Sequence, residues 1–321
     1  MALKKINDKI IIAKKSLSAP KVVVILGPTG SGKTALGVKL AAALAGEIIS
    51  ADSRQVYRGM DIGTGKDLAE YKVGRQKIPY HLIDIISPNT KFNLARYQKL
   101  AVKAIAEVSR RGRLPIIIGG TGLYLQAVID NYHLSAVKPD TKKRDAMEKR
   151  GADFLFKKIQ TLKPDFAAKI NNSDKNNARR LARYLEIIEA PETAESKRNA
   201  SPFKFLVLGI DVDDVLMRAK IEKRLDIRLE KENMVAEVER LHQEGVSYKR
   251  LISFGLEYKF ISYFLQGKIS RAEMRDQLLT AIYRFAKKQK TWFRRWEKQG
   301  RQIEWLKDEK TATKKIIKFL K

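Results

Sequence analysis

The stretch VVVILGPTGSGKTALG, residues 22–37, constrains the fold of this chain more than any other feature. Residues 27–34 match the pattern G-x-x-x-x-G-K-[ST] in full. In this pattern the glycines let backbone N–H groups turn toward phosphate oxygens, and the lysine supplies a positive charge. The hydroxyl group of the last residue binds Mg²⁺ at the start of a helix. We therefore predict a phosphate site in which Lys33 and Thr34 have these two roles.

Residues 22–130 alternate short apolar runs with longer mixed segments, as βα units do. Helix-like stretches lie between the runs, notably over residues 34–45 and 94–111. Because the runs are apolar almost throughout, they are typical of a parallel sheet that is covered on both faces. We predict an α/β fold, a P-loop NTPase-like parallel sheet flanked by helices, with the strands VVVIL, EIIS, YHLIDII and LPIIIGG.

The pattern changes over residues 135–200, where apolar residues recur at helical spacing and strand-like runs are missing. The run FKFLVLGIDVD, residues 203–213, then restores a strand. Helical patterns over residues 214–245, 258–266 and 271–298 follow, and the end of the chain is strongly basic. We predict a P-loop core whose two parts flank a helical insertion, with core residues 1–134, insertion residues 135–200, and core completion with basic C-terminal helices over residues 201–321.

The charge of the chain indicates its partner. It carries 65 Lys and Arg residues against 36 Asp and Glu residues, a formal net charge of +29. Such an excess favours a polyanionic partner, nucleic acid ahead of a membrane, unless all proteins of the organism are basic. The absence of cysteine excludes disulfides and thiolate sites. Since no apolar run suits a signal peptide or a membrane span, we expect a cytoplasmic protein outside the membrane. As a separate expectation, we take the protein to be a monomer.

Polar residues follow two of the predicted strands, at the edge where a parallel sheet binds its ligands. Asp52 follows EIIS after one residue, and a carboxylate there suits a metal ligand or a proton acceptor, or else a helix cap. Thr121 follows LPIIIGG, so its hydroxyl group and N–H can face the same crevice, unless it is a simple turn residue. P-loop NTPases usually end such a strand in an Asp that holds Mg²⁺, so this sequence argues against motors and switches.

Two basic segments are candidates for contacts with a polyanion. In RRLAR, residues 179–183, helical spacing places Arg179, Arg180 and Arg183 near one side of a helix, which suits phosphate contacts or a solvated face. In RFAKKQKTWFRRW, residues 284–296, cations alternate with aromatic rings. We assign the rings to the core and some of the Lys and Arg side chains to partner contacts.

Together and in order, six motifs resemble the tRNA dimethylallyltransferases, also called tRNA isopentenyltransferases. They are GPTGSGKT, ISADSRQVYRGMDIGTGK, HLID, IIIGGTGLYLQA, RRLARYLEI and FAKKQKTWFRRW. The resemblance implies transfer of a dimethylallyl group from dimethylallyl diphosphate to N6 of the adenosine 3′-adjacent to the anticodon in tRNA. The products are N6-dimethylallyladenosine and diphosphate. Mg²⁺ is the implied cofactor, and the anticodon stem-loop of tRNA is the implied partner of the helical insertion.

The resemblance also implies roles for individual residues. Asp52 matches the general base that takes a proton from the adenine amino group, and Thr34 matches the metal ligand. The catalytic group comprises Lys33, Thr34, Asp52 and Thr121. The donor-binding loop comprises Gly27, Pro28, Thr29, Gly30, Ser31, Gly32, Lys33 and Thr34. The residues implied in tRNA binding are Asp52, Ser53, Arg54, Gln55, Thr121, Arg144, Arg179, Arg180, Leu181, Ala182 and Arg183.

The chain departs from the family pattern at SFGLEY, residues 253–258. Many members carry Arg-x-x-Gly-Tyr there, and the Arg helps to neutralise the diphosphate. Here Phe254 takes the position of the Arg and Glu257 that of the Gly, while Tyr258 is retained. We predict Arg250 as the replacement cation.

Two other functions are compatible with parts of the sequence. A P-loop nucleoside or small-molecule kinase would use the same loop and sheet, but it leaves the basic helical insertion without a role. A non-catalytic RNA-binding protein with a P-loop would account for the net charge of +29. Dependence on ATP or on dimethylallyl diphosphate distinguishes these functions.

Overall fold

A parallel sheet forms the centre of the computed structural model, which describes residues 19–132, 140–190, 200–306 and 308–321. The strands are β1 (Lys21–Leu26), β2 (Gly46–Ser50), β3 (Lys72–Val73), β4 (Gln76–Lys77), β5 (Tyr80–His81), β6 (Leu114–Gly119), β7 (Lys204–Ile210) and β8 (Glu304–Leu306). Six of them pair in parallel in the order β5-β2-β6-β1-β7-β8. The strands β3 and β4 form a separate antiparallel hairpin.

Helices cover the sheet and make up the rest of the described chain. Up to residue 130 they are α1 (Lys33–Ala43), α2 (Leu94–Arg110) and α3 (Gly122–Ile129), with a 3₁₀ turn at Leu68–Glu70. Between β6 and β7 follow α4 (Thr141–Glu148), α5 (Ala152–Leu162), α6 (Pro164–Ala168), α7 (Asn172–Lys175) and α8 (Ala178–Ile188). After β7 come α9 (Asp214–Glu230), α10 (Met234–Gln243), α11 (Tyr248–Ser253), α12 (Leu256–Leu265), α13 (Arg271–Lys298) and α14 (Glu309–Leu320). None of these helices is both long enough and apolar enough to cross a membrane.

Both faces of the sheet are buried. In β1, Val22 and Val24 belong to a core cluster with residues of α2 and α3, whereas Val23 and Ile25 belong to a cluster with residues of α1 and α14. Successive side chains of a strand point to opposite faces, so helices pack against each side. The predicted α/β fold, a parallel sheet between helices, is therefore confirmed.

The chain divides into two compact units. The first unit combines residues up to Asp130 with Ala200–Lys321, and the second unit spans Asn131–Asn199. The second unit corresponds to the predicted insertion, which was placed at residues 135–200. The second unit has its own apolar core on α5 and α8, with Leu155, Ile159 and Leu185 almost fully buried. Parts of the predicted domains lie outside the described residues, namely residues 1–18, 133–139, 191–199 and 307.

The run YHLIDII is strand only at Tyr80–His81, so the predicted strand is wrong beyond its second residue. The backbone φ is 63° at Leu82 and 57° at Asp84, and left-handed residues cannot continue a strand. The Asp84 carboxylate instead accepts a hydrogen bond from the ammonium group of the buried Lys66. The ion pair between Asp84 and the buried Lys66 therefore lies where the predicted strand would have continued.

The helix predicted over residues 214–245 is two helices, α9 and α10. Asn233 has φ 58°, a left-handed conformation that asparagine tolerates better than most residues, and α10 begins immediately after it. The break lets α10 turn back to contact α9 within the helical cluster of the first unit.

Candidate active site

The parallel register brings the carboxyl ends of the central strands together. Leu26 of β1 pairs with Gly119 of β6 and with Gly209 of β7, while Ser50 of β2 pairs with Ile118. The loops after these four strands therefore begin at one edge of the sheet. Ligands of open α/β folds bind at this edge.

The phosphate-binding loop links β1 to α1 through glycines in the left-handed conformation. The backbone φ is 82° at Gly30 and 81° at Gly32. A Cβ added to Gly32 would meet nothing within 4 Å, so glycine is required there by backbone conformation and not by space. Gly32 is the N-cap of α1, and no side chain caps this helix start. The first N–H groups of α1 are thus left for an anion.

Lys33 is the charged group of this loop and the first residue of α1. Its Nζ donates a hydrogen bond to the carbonyl oxygen of Pro28 at 3.3 Å. Burial lowers the pKa of Lys33 to about 8; the negative charge of Asp52 opposes this shift and the positive charge of Arg224 adds to it. Asp52, from the loop after β2, and Arg224, from α9, therefore lie within electrostatic reach of Lys33.

The hydroxyl group of Thr34 is suited to bind a metal ion that is also bound by a phosphate ligand. No hydrogen bond joins it to another described residue, and the side chain is partly exposed. The described residues contain no group of three or more His, Cys, Asp and Glu that could hold a metal by themselves. Mg²⁺ bound with a phosphate needs few protein ligands, because phosphate and water oxygens complete its shell. Thr34 fits that arrangement.

Asp52 follows β2 after a single residue, Ala51, and caps the turn that comes next. Its Oδ1 accepts hydrogen bonds from the N–H groups of Arg54, at 2.8 Å, and Gln55, at 3.4 Å. A turn and not a helix follows Asp52, so the helix cap considered from the sequence is wrong, and the carboxylate makes a capping contact with the turn instead. This contact occupies Oδ1, and a carboxylate has a second oxygen that can still accept a proton or a hydrogen bond.

The charge of Asp52 acts on three buried tyrosine side chains. The pKa values of the Tyr71, Tyr97 and Tyr124 hydroxyl groups are raised, first by burial and to a smaller extent by the charge of Asp52. The rings of Tyr97 and Tyr124 are stacked, with centroids 4.0 Å apart. Tyr97 and Tyr124 belong to the same buried core cluster as Ala51, the residue before Asp52.

Thr121 joins the loop after β6 to the loop after β2. Its Oγ1 accepts a hydrogen bond from the N–H of Ser53 at 3.3 Å, and its own N–H donates to the carbonyl oxygen of Ala51 at 3.3 Å. The hydroxyl group therefore lies beside the Asp52 turn. Its predicted roles in catalysis and tRNA binding stay predictions.

Gln289 of α13 connects the phosphate loop to the end of β6. Its Oε1 accepts hydrogen bonds from Thr29, from N–H at 2.9 Å and from Oγ1 at 3.3 Å, while its Nε2 donates to Gly120 O at 2.8 Å. Sequence reasoning missed this residue, although a signal exists: Gln289 is a polar residue on a helix face otherwise formed by the buried Ile282, Ala286 and Phe293.

Replacing Gln289 by leucine is expected to lower the free energy of unfolding by about 2 kcal/mol, because the Thr29 N–H and the Gly120 carbonyl lose their partner in a buried place. Equilibrium unfolding in urea measures this loss. Gln277→Leu on the same helix is the matched control, since Gln277 is exposed. Equal unfolding midpoints for the two variants would contradict a structural connection through Gln289.

Arg54 and Gln55, which follow Asp52, have side chains that bind to other groups of the protein. Arg54 Nη1 forms an ion pair with the buried Glu257. Burial would lower the pKa of Arg54, but the charges of Glu257 and Asp52 raise it overall. The side-chain amide of Gln55 accepts from Ser50 Oγ at 2.8 Å and donates to a carbonyl oxygen at 3.1 Å. Contacts of Ser53, Arg54 and Gln55 with tRNA stay predictions.

Arg250 is held by a neighbouring loop, and the structure does not support it as the replacement cation. Its guanidinium donates hydrogen bonds to the carbonyl oxygens of Pro88, at 2.7 Å, and Thr90, at 2.9 Å. The group also stacks on the ring of Phe254, 4.3 Å from its centroid. Arg224 is the arginine whose charge acts on Lys33, and sequence reasoning did not identify it.

The four arginines of the second unit that were predicted to contact tRNA all lie near carboxylates, at different distances. Arg144 and Arg183 both contact Glu186, which is 4% exposed. Arg180 pairs with a carboxylate on α7. Arg179 is 79% exposed, and its nearest carboxylate oxygen is 3.9 Å away. Of these four arginines Arg179 is therefore the one most available to a phosphate group, and the others must exchange an ion pair.

The structure corrects the assignment of Leu181 and Ala182 to tRNA contacts. Both side chains are fully buried in the core of the second unit, where they pack with Leu155 and Ile159. Helical spacing explains the difference, because residues between exposed arginines on α8 fall on its inward face. Their side chains hold the helix in place and do not reach a ligand.

Fold and site together define a P-loop α/β protein with a carboxylate and several cations at the phosphate edge. Two solved structures resemble it. A tRNA isopentenylpyrophosphate transferase from Bacillus halodurans superposes with a TM-score of 0.67 at 36% identity, covering 94% of this chain and 95% of that one. A eukaryotic dimethylallyltransferase, described as acting on tRNA, gives a TM-score of 0.67 at 26% identity, covering 85% and 69%.

Sequence comparison agrees with the structural one. Residues 55–296 match the family described as IPP transferase. The tRNA dimethylallyltransferase 1 of Parabacteroides distasonis is 43% identical over 299 residues, which are 91% of this chain and 96% of that relative. The chain belongs to the IPP transferase family.

Proposed function

We propose that this protein is a tRNA dimethylallyltransferase, which transfers a dimethylallyl group from dimethylallyl diphosphate to N6 of the adenosine 3′-adjacent to the anticodon. One observation carries the proposal: the phosphate loop with Lys33 and the turn with Asp52 follow β1 and β2, whose carboxyl ends lie at one edge of the sheet. The names of the relatives, tRNA dimethylallyltransferase and tRNA isopentenylpyrophosphate transferase, support the same reaction.

The donor diphosphate binds at the start of α1. The uncapped N–H groups of this helix and the ammonium group of Lys33 donate hydrogen bonds to its oxygens. Arg224 adds positive charge beside Lys33. Thr34 would hold Mg²⁺, which neutralises diphosphate charge and so makes diphosphate a better leaving group.

Asp52 and the phosphate loop act on opposite ends of the reacting system. The adenine N6 attacks the carbon that carries the diphosphate, so a C–N bond forms while the C–O bond breaks. The electron pair of the C–O bond leaves with the diphosphate, whose charge the cations of the site stabilise. The carboxylate of Asp52 takes the proton that N6 releases.

The RNA partner accounts for the composition of the chain. A net charge of +29 favours binding to a polyanion, and counterions are released when Lys and Arg side chains contact phosphates. Arg179, with 79% of its side chain exposed, is available for such a contact. The target base must leave the stack of the anticodon loop to reach a carboxylate at the end of a buried strand. We propose that the protein binds tRNA as a monomer.

Labelled dimethylallyl diphosphate tests the proposal. The protein is incubated with Mg²⁺, the labelled donor and an unmodified tRNA transcript that has adenosine 3′ of the anticodon, and label is expected in this tRNA. A transcript with guanosine at that position is the control and should stay unlabelled. ATP-dependent phosphorylation without prenyl transfer would favour the kinase, and tRNA binding without any transfer would favour the non-catalytic protein.

A further inference from the structure

A buried arginine beside the phosphate loop has a side-chain nitrogen that donates no hydrogen bond to the part of the chain that the structure describes. Arg228 of α9 is 7% exposed, and its Nη2 atom is buried without a hydrogen-bond partner among the described residues. The nearest carboxylate oxygen, Asp67 Oδ2, is 3.5 Å away. Burying a charge without good partners is unfavourable, so an unsatisfied group of this kind requires an explanation.

A second arginine competes for the same carboxylate. Arg224, one helical turn earlier on α9, has its Nη2 atom 3.0 Å from Asp67 Oδ2. The Nη2 atoms of Arg224 and Arg228 both approach Gly65 so closely that a Cβ there would collide with each of them. Burial, and then the charge of Arg224, lowers the pKa of Arg228, against the opposing charges of Asp67 and Glu257. Two guanidinium groups thus converge on one carboxylate.

A second carboxylate at this place, that of Glu257, already has a partner. Glu257 lines the same small cavity, of about 20 Å³, but its Oε2 pairs with Arg54. The other polar lining comes from Arg224, Arg228 and the phosphate loop at Thr29 and Gly30. The cavity therefore borders the loop on one side and the two guanidinium groups on the other. A buried guanidinium group that lacks a hydrogen-bond acceptor for its Nη2 atom within the described chain, and lies beside a phosphate loop, is suited to an anion.

We propose that Arg228 is a binding residue for the donor diphosphate, whose oxygen supplies the acceptor that the Nη2 atom lacks in the free protein. The proposal rests on the proposed function and extends it to a residue outside the phosphate loop. Arg224, which lines the same cavity, and Lys33, at the end of the phosphate loop, supply further positive charge for the diphosphate. A guanidinium group suits this role because it forms directed hydrogen bonds to phosphate oxygens and stays charged when buried.

Arg228→Met tests the assignment, with Lys223→Met as the matched control. Lys223 is an exposed residue of the same helix, so its variant removes the same charge outside the cavity. Loss of a charged hydrogen bond is expected to raise the KM for dimethylallyl diphosphate about 10- to 100-fold in Arg228→Met, while the KM for tRNA stays unchanged. The increase in melting temperature that inorganic diphosphate and Mg²⁺ cause in the wild type should shrink in this variant only.

The melting temperature of the ligand-free variant separates binding from structure. Arg228→Met should melt at the wild-type temperature or above, because a poorly paired buried charge is removed. If Arg228→Met does not fold, Arg228→Lys is used instead, because it keeps a positive charge beside Asp67 but lacks the guanidinium group. The KM of Arg228→Lys for dimethylallyl diphosphate is then expected to be raised. A wild-type donor KM together with a wild-type response to diphosphate, in whichever variant folds, would overturn the proposal.

The two proposals fail in different ways. If the wild type labels tRNA and the donor KM does not depend on Arg228, the assignment of Arg228 is wrong and the transferase function stands. If the wild type fails to label tRNA, the transferase function is wrong. The response of the melting temperature to inorganic diphosphate then still decides whether Arg228 belongs to an anion site.

Discussion

Asp52→Asn is expected to slow dimethylallyl transfer by about 10²- to 10⁴-fold, the usual contribution of a general base. Asparagine keeps a side-chain oxygen for the N–H groups of Arg54 and Gln55, so the turn is preserved while the proton acceptor is lost. Affinity for tRNA should stay close to that of the wild type. Single-turnover rates at saturating donor and tRNA measure the chemical step, and filter binding measures the affinity.

The control for this variant is a second carboxylate at the same edge of the sheet. Asp211 follows β7, is exposed and lies 3.3 Å from the Nζ of Lys290. Asp211→Asn removes the same charge and should transfer at nearly the wild-type rate. If Asp52→Asn also kept the wild-type single-turnover rate, the carboxylate would serve only to cap its turn, and the general-base assignment would be wrong.

Lys33→Met is expected to raise the KM for dimethylallyl diphosphate by about 30-fold or more, since removal of one partner of a close charge pair costs about 2–5 kcal/mol. Methionine keeps the apolar stem of the side chain and removes its charge. Initial rates over a range of donor concentrations, at saturating tRNA, measure the effect. Lys39→Met is the matched control, because Lys39 is exposed on the same helix and pairs at 3.1 Å with Glu309.

The pH dependence of the wild type gives a second measurement of Lys33. Its pKa is lowered from 10.5 to about 8, so in the free enzyme the ammonium group is charged below that pH and loses its proton above it. The ratio kcat/KM for the donor reports ionisations of the free enzyme and is expected to fall above about pH 8. This fall should disappear in Lys33→Met. A wild-type profile that stays flat well above pH 8 would contradict the assignment.

Features confined to short segments were predictable from the sequence. The phosphate loop is one of them, because the glycines, the lysine and the helix start that form it lie within eight consecutive residues, 27–34. The buried parallel strands are another, because both faces of each strand are apolar. Predictions failed where a distant partner decided the outcome. The strand after His81 is lost where Asp84 pairs with Lys66, and Leu181 is buried by residues of α5.

The sequence by itself determined the class of fold, the phosphate loop and the family, since each depends on motifs read along the chain. Only the tertiary structure decided which other side chains meet at that loop. Gln289 reaches Thr29 from 260 positions away, and Arg224 and Arg228 approach Gly65 from a helix of the second half of the chain. Local spacing cannot encode such contacts, because they arise when parallel strands and packed helices bring separate loops to one edge of the sheet.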